Sequence, residues 1–347
     1  MATQLDTLIT EGLEEIFPSA VLLASIKGKP LIHQAYGKAN LHTLFDLASL
    51  TKAFSTALLT ACFFDAGLLQ ASDTISRFAP HSSRQAWHDE VTIEMLLNHR
   101  SGLPAWKPYY LNFSPEEAGS KETKQKLLGL CWEEKLLHKP RTQTVYSDID
   151  HLLLGSILET VASSSLQHLF AEYIAKKLSL SSLQFSPVEA NLAAPSGFCT
   201  WRQAPLQGQA HDYHAYLFGG TAGNAGLFGT AEDCAKIAAA FFLLDDGEDH
   251  FITSKTWKDF FSFPAKKQTQ DSFTGGWNMP SAQDSSSGKY FSARSLGHLG
   301  FTGCSLWIDL QKRSFVIFLC NRLEKENSQE KMKAFRPRLH DLLFADL

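Results

Sequence analysis

The segment Leu47–Phe64 reads LASLTKAFSTALLTACFF, and its 18 residues contain a single charged side chain, that of Lys52. A membrane span requires about 20 predominantly apolar residues, and this run is interrupted by five serine or threonine hydroxyls. The pattern therefore favours a buried helix from about Ser49 to Phe64, ending before Gly67. Burial of that helix would remove the lysine from water, which is unusual for this residue type.

Ser49 and Lys52 form an S-x-x-K motif at the start of this helix. Residues three apart share one helix face, so the ammonium lies within reach of the hydroxyl. A serine hydroxyl becomes a good nucleophile only when a neighbour takes its proton, and Lys52 does so if its pKa is lowered, as apolar surroundings predict. The same motif also occurs by chance with lysines that extend to solvent. The assignment therefore depends on other parts of the chain.

The flanking sequence predicts a sheet built from both chain ends. Two apolar runs, Ala20–Ile26 and Pro30–Tyr36, surround a Lys-Gly-Lys turn and predict a hairpin. Two more strands are expected at Cys304–Asp309 and Ser314–Asn321, the second buried on both faces. We expect an α/β plus all-α fold, an antiparallel sheet flanked by helices, with residues 1–71 and 215–347 as the sheet lobe, a mainly helical lobe at 72–214, and the active site between them. The closing helix, from about Gln329 to Phe344, is expected to kink or break at Pro337.

Two further motifs follow the S-x-x-K pair: Tyr146-Ser147-Asp148 before a helix, and His298-Leu299-Gly300 before the last two strands. In this order and at these intervals they resemble the S-x-x-K, Y-x-N and K/H-T-G motifs of serine β-lactamases and penicillin-binding proteins, in particular class C β-lactamases and their esterase relatives. Segments such as FDLASLTKAFST, VYSDIDHLLLG and GHLGFTGCSLWID extend the resemblance over nearly the whole chain.

The resemblance implies a β-lactamase/transpeptidase-like fold and a role for each matching residue. Ser49 would be the nucleophile, Lys52 its proton acceptor and Tyr146 a general acid or base shared with Lys52. The backbone N–H groups of Ser49 and Phe301 would form the oxyanion hole. The residues implied for substrate binding are Asp148, His298, Leu299 and Gly300.

Two positions depart from the family pattern and bear on the substrate. Asp148 stands where the family has asparagine, and a carboxylate cannot donate a hydrogen bond unless it is protonated. Leu299 replaces a hydroxyl residue, and His298 supplies less positive charge than lysine at neutral pH. These features predict a small neutral carboxylic ester as substrate. D-amino-acid peptides, amides or β-lactams remain the alternative, and a pseudo-enzyme that binds without turnover is a further one.

The same sequence gives little support to other functions. A net charge of −4 and a pI of about 6.3 do not indicate the basic surface of a nucleic-acid-binding protein. The sequence also lacks the G-x-S-x-G nucleophile motif of α/β-hydrolases. The segment His211–His214 (HDYH) lacks partners for a metal site, and no cofactor is expected. The N-terminus resembles an amphipathic helix rather than a signal peptide. Because the six cysteines show no paired spacing and no signal peptide is expected, we predict reduced thiols in a cytoplasmic protein. No membrane span is expected, and the oligomeric state stays open.

Overall fold

The computed structural model describes residues 2–267 and 272–345, and its strands are distributed over both ends of that range. They are β1 (Ser19–Ile26), β2 (Lys29–Gly37), β3 (Phe45–Asp46), β4 (Gln184–Phe185), β5 (Pro195–Cys199), β6 (Ala204–Gln207), β7 (Leu227–Gly229), β8 (Ser272–Thr274), β9 (Trp277–Met279), β10 (Ser295–Leu299), β11 (Ser305–Asp309) and β12 (Ser314–Cys320). Seven of them form one antiparallel sheet in the order β2-β1-β12-β11-β10-β9-β8. The predicted antiparallel sheet with strands from both chain ends is confirmed.

The described ranges contain ten α-helices, some of which cover the two faces of this sheet. They are α1 (Ala2–Glu15), α2 (Leu58–Asp65), α3 (Ile93–Leu97), α4 (Lys121–Trp132), α5 (Asp148–Ala162), α6 (Leu166–Phe170), α7 (Tyr213–Leu217), α8 (Ala231–Asp245), α9 (Ser254–Phe260) and α10 (Ser328–Phe344). On one face, α1 and α10 cover Leu22 and Phe318; on the other, α2 and α8 cover Val21 and Ile317. The alternation along each strand places successive side chains in the two cores.

The expected hairpin and central strand both occur. The β1–β2 turn uses Lys27 and Gly28 at φ 51° and 75°, the left-handed conformation that two-residue hairpin turns require. Every residue of β12 is buried between β1 and β11. The region 72–214 contains α3 to α6 but also β4 to β6, short strands that the helical pattern did not reveal. The division of the chain at residues 71 and 215 stays a prediction.

Of the two expectations for Pro337, the break is wrong, because α10 runs through this residue without interruption; the kink stays a prediction. Proline removes one N–H from a helix interior, but the buried side chains of Phe335, Leu339 and Leu343 anchor both halves of α10 to the core shared with α1. Packing outweighs the lost hydrogen bond.

The six cysteines are free and buried, as the spacing predicted. Within the Leu47–Phe64 segment the helix begins at Leu50 and is buried through Phe63. None of the helices in the described ranges has the length and apolar character needed to cross a membrane.

Candidate active site

Ser49 follows a tight turn at the end of β3. The preceding residue, Ala48, has φ 47°, and its N–H donates to Oδ1 of the buried Asp46 carboxylate at 2.8 Å. Helical structure starts at Leu50 rather than at Ser49, and its first part, Lys52–Ala57, is a π-helix that continues into α2. Such π segments occur frequently at functional sites. The turn places the serine at the helix N-terminus, as the sequence predicts.

Lys52 is fully buried, and its ammonium has an acceptor for each of its three hydrogens. Nζ lies 3.0 Å from the Ser49 hydroxyl oxygen, 3.0 Å from the Asn224 carbonyl oxygen and 2.6 Å from Oδ1 of Asp148. Burial on its own lowers the pKa of Lys52, but the Asp148 carboxylate and Tyr146 more than offset it, and the net pKa lies above its ordinary value. The lysine is therefore an ammonium ion at rest.

The expected lowering of the Lys52 pKa is thus wrong, although its burial is confirmed. The apolar helix on its own would lower the pKa of Lys52, because burial disfavours the charged form. The fold adds a partner that the helix sequence does not show, since Asp148, the first residue of α5, lies beside the lysine. The opposite charge at hydrogen-bond distance, together with Tyr146, favours the charged form more strongly than burial disfavours it.

Tyr146 lies against both members of the S-x-x-K pair. Its hydroxyl is within hydrogen-bond reach of Ser49 and Lys52, and the Lys52 Nζ is 5.0 Å from the centre of its ring. Burial of the hydroxyl raises the pKa of Tyr146, and the lysine charge only partly counteracts this. The phenol is consequently neutral near pH 7 and can both donate and accept a hydrogen bond.

A loop around His99 positions the Tyr146-Ser147-Asp148 segment. The Ser147 N–H donates to Nδ1 of His99 at 3.1 Å, and the Val145 N–H donates to the His99 carbonyl oxygen at 2.9 Å. The Ser147 hydroxyl caps α5 by accepting from the Asp150 N–H. The resemblance implies a substrate-binding role for Asp148. Its side chain lines the cavity, but its Oδ1 lies against Nζ of Lys52.

The third motif lies at the end of β10. His298 is buried, its Nδ1 is 3.0 Å from the Leu299 carbonyl oxygen, and burial together with the Lys52 charge lowers its pKa to about 3. The imidazole is therefore neutral and supplies no positive charge. A Cβ on Gly300 would lie 2.6 Å from the Leu47 carbonyl oxygen, so this close approach of β10 to the nucleophile's turn requires glycine.

Two backbone N–H groups lie where the end of β10 approaches the turn that carries Ser49. The N–H groups of Ser49 and Phe301 donate no hydrogen bond to any residue that the structure describes. The turn that carries Phe301 is fixed to β3 because the Thr302 hydroxyl donates to the Asp46 carbonyl oxygen at 2.7 Å. Free N–H groups on a rigid turn are what an oxyanion hole needs.

These residues surround a cavity of about 810 Å³, the size range of small-molecule sites. Its walls hold the residues singled out in the sequence together with aromatic, amide and basic side chains that the sequence did not single out. The lining includes Ser49, Trp106, Tyr146, Asp148, His211, Asp212, Phe273, Asn278, His298, Leu299, Gly300, Phe301, Arg322, Lys333 and Arg336. Lys52 does not line the cavity, because its side chain is fully buried beneath Ser49.

The His211–His214 segment has structural contacts here. The His211 N–H donates to Oδ2 of Asp46, and the Asp212 side chain caps α7. Within the described ranges no group of three or more His, Cys, Asp or Glu side chains is arranged to hold a metal ion. Cys304 is a packed residue rather than a cleft thiol, with Sγ 3.4 Å from the Cys320 carbonyl oxygen.

The family model for beta-lactamase matches residues 5–338, which is nearly the entire chain. The chain belongs to the beta-lactamase family. The resemblance drawn from the three motifs is therefore confirmed, and the predicted β-lactamase/transpeptidase-like fold with it.

Curated relatives of this beta-lactamase family chain include a protein of Salmonella gallinarum (strain 287/91 / NCTC 13346) named "Putative D-alanyl-D-alanine carboxypeptidase", 26% identical over 279 residues. The match covers 74% of this chain and 64% of that relative, so the chain spans less than two thirds of the relative's length.

Solved structures share the fold at lower identity. "EstCE1, a hydrolase with promiscuous acyltransferase activity" superposes with a TM-score of 0.75 at 22% identity, covering 98% of both chains. The octameric penicillin-binding protein homologue from Pyrococcus abyssi gives a TM-score of 0.75 at 19% identity, covering 99% of this chain and 77% of the other.

Several site residues were not predicted from the sequence. His99 lies within TIEMLLNHRSGLP, a family-like segment that contains this histidine, yet nothing local shows that its ring packs 4.7 Å from that of Tyr146. Asn224 belongs to the glycine-rich stretch 219–229, whose backbone packs closely against α5, since a Cβ on Gly223 would lie 2.0 Å from the His151 carbonyl oxygen.

Proposed function

We propose that this chain is a serine hydrolase that cleaves carboxylic esters through an acyl intermediate on Ser49. The observation that carries the proposal is the 3.0 Å contact between the Ser49 hydroxyl and the buried Lys52 ammonium, at a cavity wall that also presents two free N–H groups. A nucleophile, a proton carrier and oxyanion donors around one cavity are the minimum needed for acyl transfer.

In this proposal Asp148 completes the proton path. Lys52 is charged at rest and cannot accept the serine proton until it has passed one of its own to the carboxylate 2.6 Å away. The neutral amine then takes the Ser49 proton as Oγ bonds to the acyl carbon, while the carbonyl oxygen becomes an oxyanion near the N–H groups of Ser49 and Phe301.

Tyr146 carries a proton from Lys52 to the leaving group. As the ester C–O bond breaks, the tyrosine hydroxyl protonates the departing alcohol and is reprotonated by Lys52. Water attacks the acyl carbon by the reverse path, giving its proton through Tyr146 and Lys52 and returning one to Ser49. General acid–base steps of this kind contribute about 10²- to 10⁴-fold to a rate.

The choice of an ester rests on the third motif. Leu299 offers no hydrogen bond to a substrate carboxylate, and the neutral His298 supplies no charge at that position. The alternative, a D-amino-acid peptidase or β-lactamase using the same serine, is favoured by the names of the curated relatives. Asn278, which lines the cavity, is an amide that such a substrate would use.

A labelling comparison tests the proposal. Wild type, Ser49→Ala and the matched control Ser55→Ala are incubated with a fluorophosphonate probe, a fluorescent penicillin and p-nitrophenyl esters of increasing chain length. Ser55 is a buried serine of the same helix whose hydroxyl has no partner among the described residues. We expect ester turnover and probe labelling in wild type and Ser55→Ala but not in Ser49→Ala.

The other outcomes separate the alternatives. Rapid penicillin turnover with negligible ester cleavage would replace the ester assignment by a lactamase or peptidase. Absence of labelling and of turnover in wild type would leave the pseudo-enzyme.

A further inference from the structure

Asp46 joins three segments that surround the nucleophile. Its side chain is buried, and its two carboxylate oxygens accept hydrogen bonds from different parts of the chain. Oδ1 accepts from the Ala48 N–H at 2.8 Å, and Oδ2 accepts from the His211 N–H, also at 2.8 Å. Its backbone carbonyl oxygen accepts from the Thr302 hydroxyl at 2.7 Å. One residue therefore holds the nucleophile's turn, the His211 segment and the turn that carries Phe301.

Asp46 is itself fixed in a sheet. It is the last residue of β3 and pairs with Phe228 of β7. The next residue, Leu47, donates its N–H to the Leu227 carbonyl oxygen at 2.9 Å. The three segments are thus attached to a strand, and sites supported by strands are held more precisely than sites on loops.

The bond from Ala48 to the carboxylate determines where the Ser49 N–H points. Ala48 has φ 47°, a left-handed conformation that is unfavourable for residues other than glycine and persists only where surrounding contacts impose it. The Asp46 carboxylate is such a contact, because it accepts the N–H of this residue. Loss of the carboxylate would let the peptide between Ala48 and Ser49 rotate, and with it one donor of the proposed oxyanion hole.

The other donor of the hole is attached to the same residue. Thr302 follows Phe301 directly and is fully buried, and its hydroxyl bonds to the Asp46 carbonyl oxygen. The spacing between the Ser49 and Phe301 N–H groups therefore depends on two bonds to Asp46, one to its side chain and one to its backbone. An oxyanion needs both donors in place at the same time, and such preorganisation is what makes the donors effective.

The Asp46 carboxylate is costly to bury. A buried carboxylate lowers stability unless a cation pairs with it, and no cationic side chain in the described part of the chain forms an ion pair with Asp46. Burial raises its pKa to about 6, although the two N–H groups counteract part of this effect. Groups with pKa values perturbed in this way concentrate at functional sites.

We propose that Asp46 is a positioning residue for the oxyanion hole, which fixes the spacing of the Ser49 and Phe301 N–H groups and so controls kcat. The proposal rests on the serine-hydrolase function proposed above. Asp46 is not among the residues that line the cavity, so it acts through Ala48 and Thr302 rather than on the substrate. The oxyanion forms in both acylation and deacylation, so a misaligned hole slows both steps, and KM, which depends on their ratio, changes little.

Kinetics of p-nitrophenyl ester hydrolysis test the proposal, at a pH well above the pKa of Asp46. Asp46→Asn keeps one acceptor oxygen and Asp46→Ala keeps none, whereas Thr302→Ser keeps the hydroxyl and Thr302→Val replaces it by a methyl group. The matched control is Asp309→Asn. Asp309 is a buried carboxylate that also accepts from two backbone N–H groups, those of Ser292 and Lys312, and it is not among the cavity-lining residues.

We expect kcat to fall about tenfold in Asp46→Asn and about 10²-fold in Asp46→Ala and Thr302→Val, since a displacement of about 1 Å can cost 10²-fold. Thr302→Ser should keep most of the wild-type kcat, and KM should change by less than about threefold in all of these variants. Asp309→Asn should lower thermal stability and keep the wild-type kcat. This control separates positioning from a general loss of stability.

A reversible inhibitor provides a readout that does not require turnover. An alkyl trifluoromethyl ketone forms a bond between its carbonyl carbon and the Ser49 oxygen, while the serine proton passes to the site's base and the carbonyl oxygen becomes an oxyanion. The corresponding trifluoromethyl alcohol cannot form this bond. We expect Asp46→Ala and Thr302→Val to weaken binding of the ketone by about as much as they lower kcat, and to leave binding of the alcohol unchanged.

The remaining outcomes distinguish the two proposals. Wild-type kcat in Asp46→Ala or in Thr302→Val, or equal weakening of the ketone and the alcohol, would overturn the positioning role and leave the hydrolase. An equal loss of kcat in Asp309→Asn would overturn it as well. Absence of ester turnover in wild type would overturn the hydrolase itself.

Discussion

The Lys52 ammonium lies 2.6 Å from the Asp148 carboxylate, in an ion pair in which the lysine is fully buried. The family pattern places a neutral asparagine at that position. The carboxylate helps to keep Lys52 charged, since burial lowers the lysine pKa but Asp148 and Tyr146 together raise it by more. It also gives the site a proton acceptor that an amide could not provide.

Asp148→Asn should therefore reduce the maximal rate. The amide retains the shape of the side chain but cannot take a proton from Lys52, so kcat for a p-nitrophenyl ester should fall by about 10²-fold or more. The acidic limb of the pH–rate profile should also move to lower pH, because burial of Lys52 is no longer opposed by a carboxylate. A variant with wild-type kcat and an unshifted profile would show that Asp148 takes no part in proton transfer.

The same pair predicts a pattern of stabilities. Removing one partner leaves a buried group uncompensated, so Asp148→Asn and Lys52→Met should each lower the free energy of unfolding, by up to about 3–5 kcal/mol. The double variant should lose less than the sum of the two. Denaturant unfolding of the four proteins measures this coupling, and purely additive losses would mean that the ion pair contributes nothing in solution.

His99 should act on catalysis as a positioning residue. Its Nδ1 and carbonyl oxygen accept from the N–H groups on either side of Tyr146, and its backbone has φ 58°. Asparagine tolerates that conformation and places an acceptor near the Nδ1 position, whereas glutamine places it one carbon further out. We expect His99→Asn to keep most of kcat and His99→Gln to lose about tenfold or more, with KM nearly unchanged in both.

A merely structural His99 would give a different result. The two variants would then differ in thermal stability while their kcat values remained equal, and this outcome would remove the positioning role.

Asp46 should make the stability of the protein depend on pH. Burial raises its pKa to about 6, although the His211 and Ala48 N–H groups counteract part of this effect. The native state then binds more protons than the unfolded state between about pH 4 and 6. The contribution of Asp46 to stability is therefore fully present below its unfolded pKa and is lost as the pH rises through the folded value.

Asp46→Asn cannot titrate, so the comparison with wild type isolates this effect. The stability advantage of wild type should shrink as the pH is raised from 4 to 7, by up to about 3 kcal/mol for a pKa shift of two units. Urea unfolding at several pH values measures it. An advantage that is constant, or that grows with pH, would contradict the raised pKa.

The sequence was informative wherever the evidence is local. The proximity of Ser49 and Lys52 follows from a single helical turn. The hairpin is predicted by the turn residues Lys27 and Gly28, and β12 by its continuous apolar run. These features determine their structures without distant partners. The fold could therefore be predicted from the sequence.

What could not be predicted depends on contacts between distant segments. The pKa of Lys52 is set by Asp148, which only the packing of α5 brings within 2.6 Å. The Arg322 guanidinium also lies 4.4 Å from the centre of the Phe301 ring, a contact that only the fold brings about. The continuity of α10 through Pro337 likewise reflects core packing, which overrides local propensity.

The central claim is that Ser49 becomes acylated during turnover. It is tested most directly by mixing the enzyme with a p-nitrophenyl ester, quenching in acid within the first turnovers, and determining the mass of the intact protein and of its Ser49 peptide. The account predicts a mass increase equal to the acyl group, located on Ser49 and absent from Ser49→Ala. Ester turnover without any adduct on this serine, or an adduct on another residue, would contradict it.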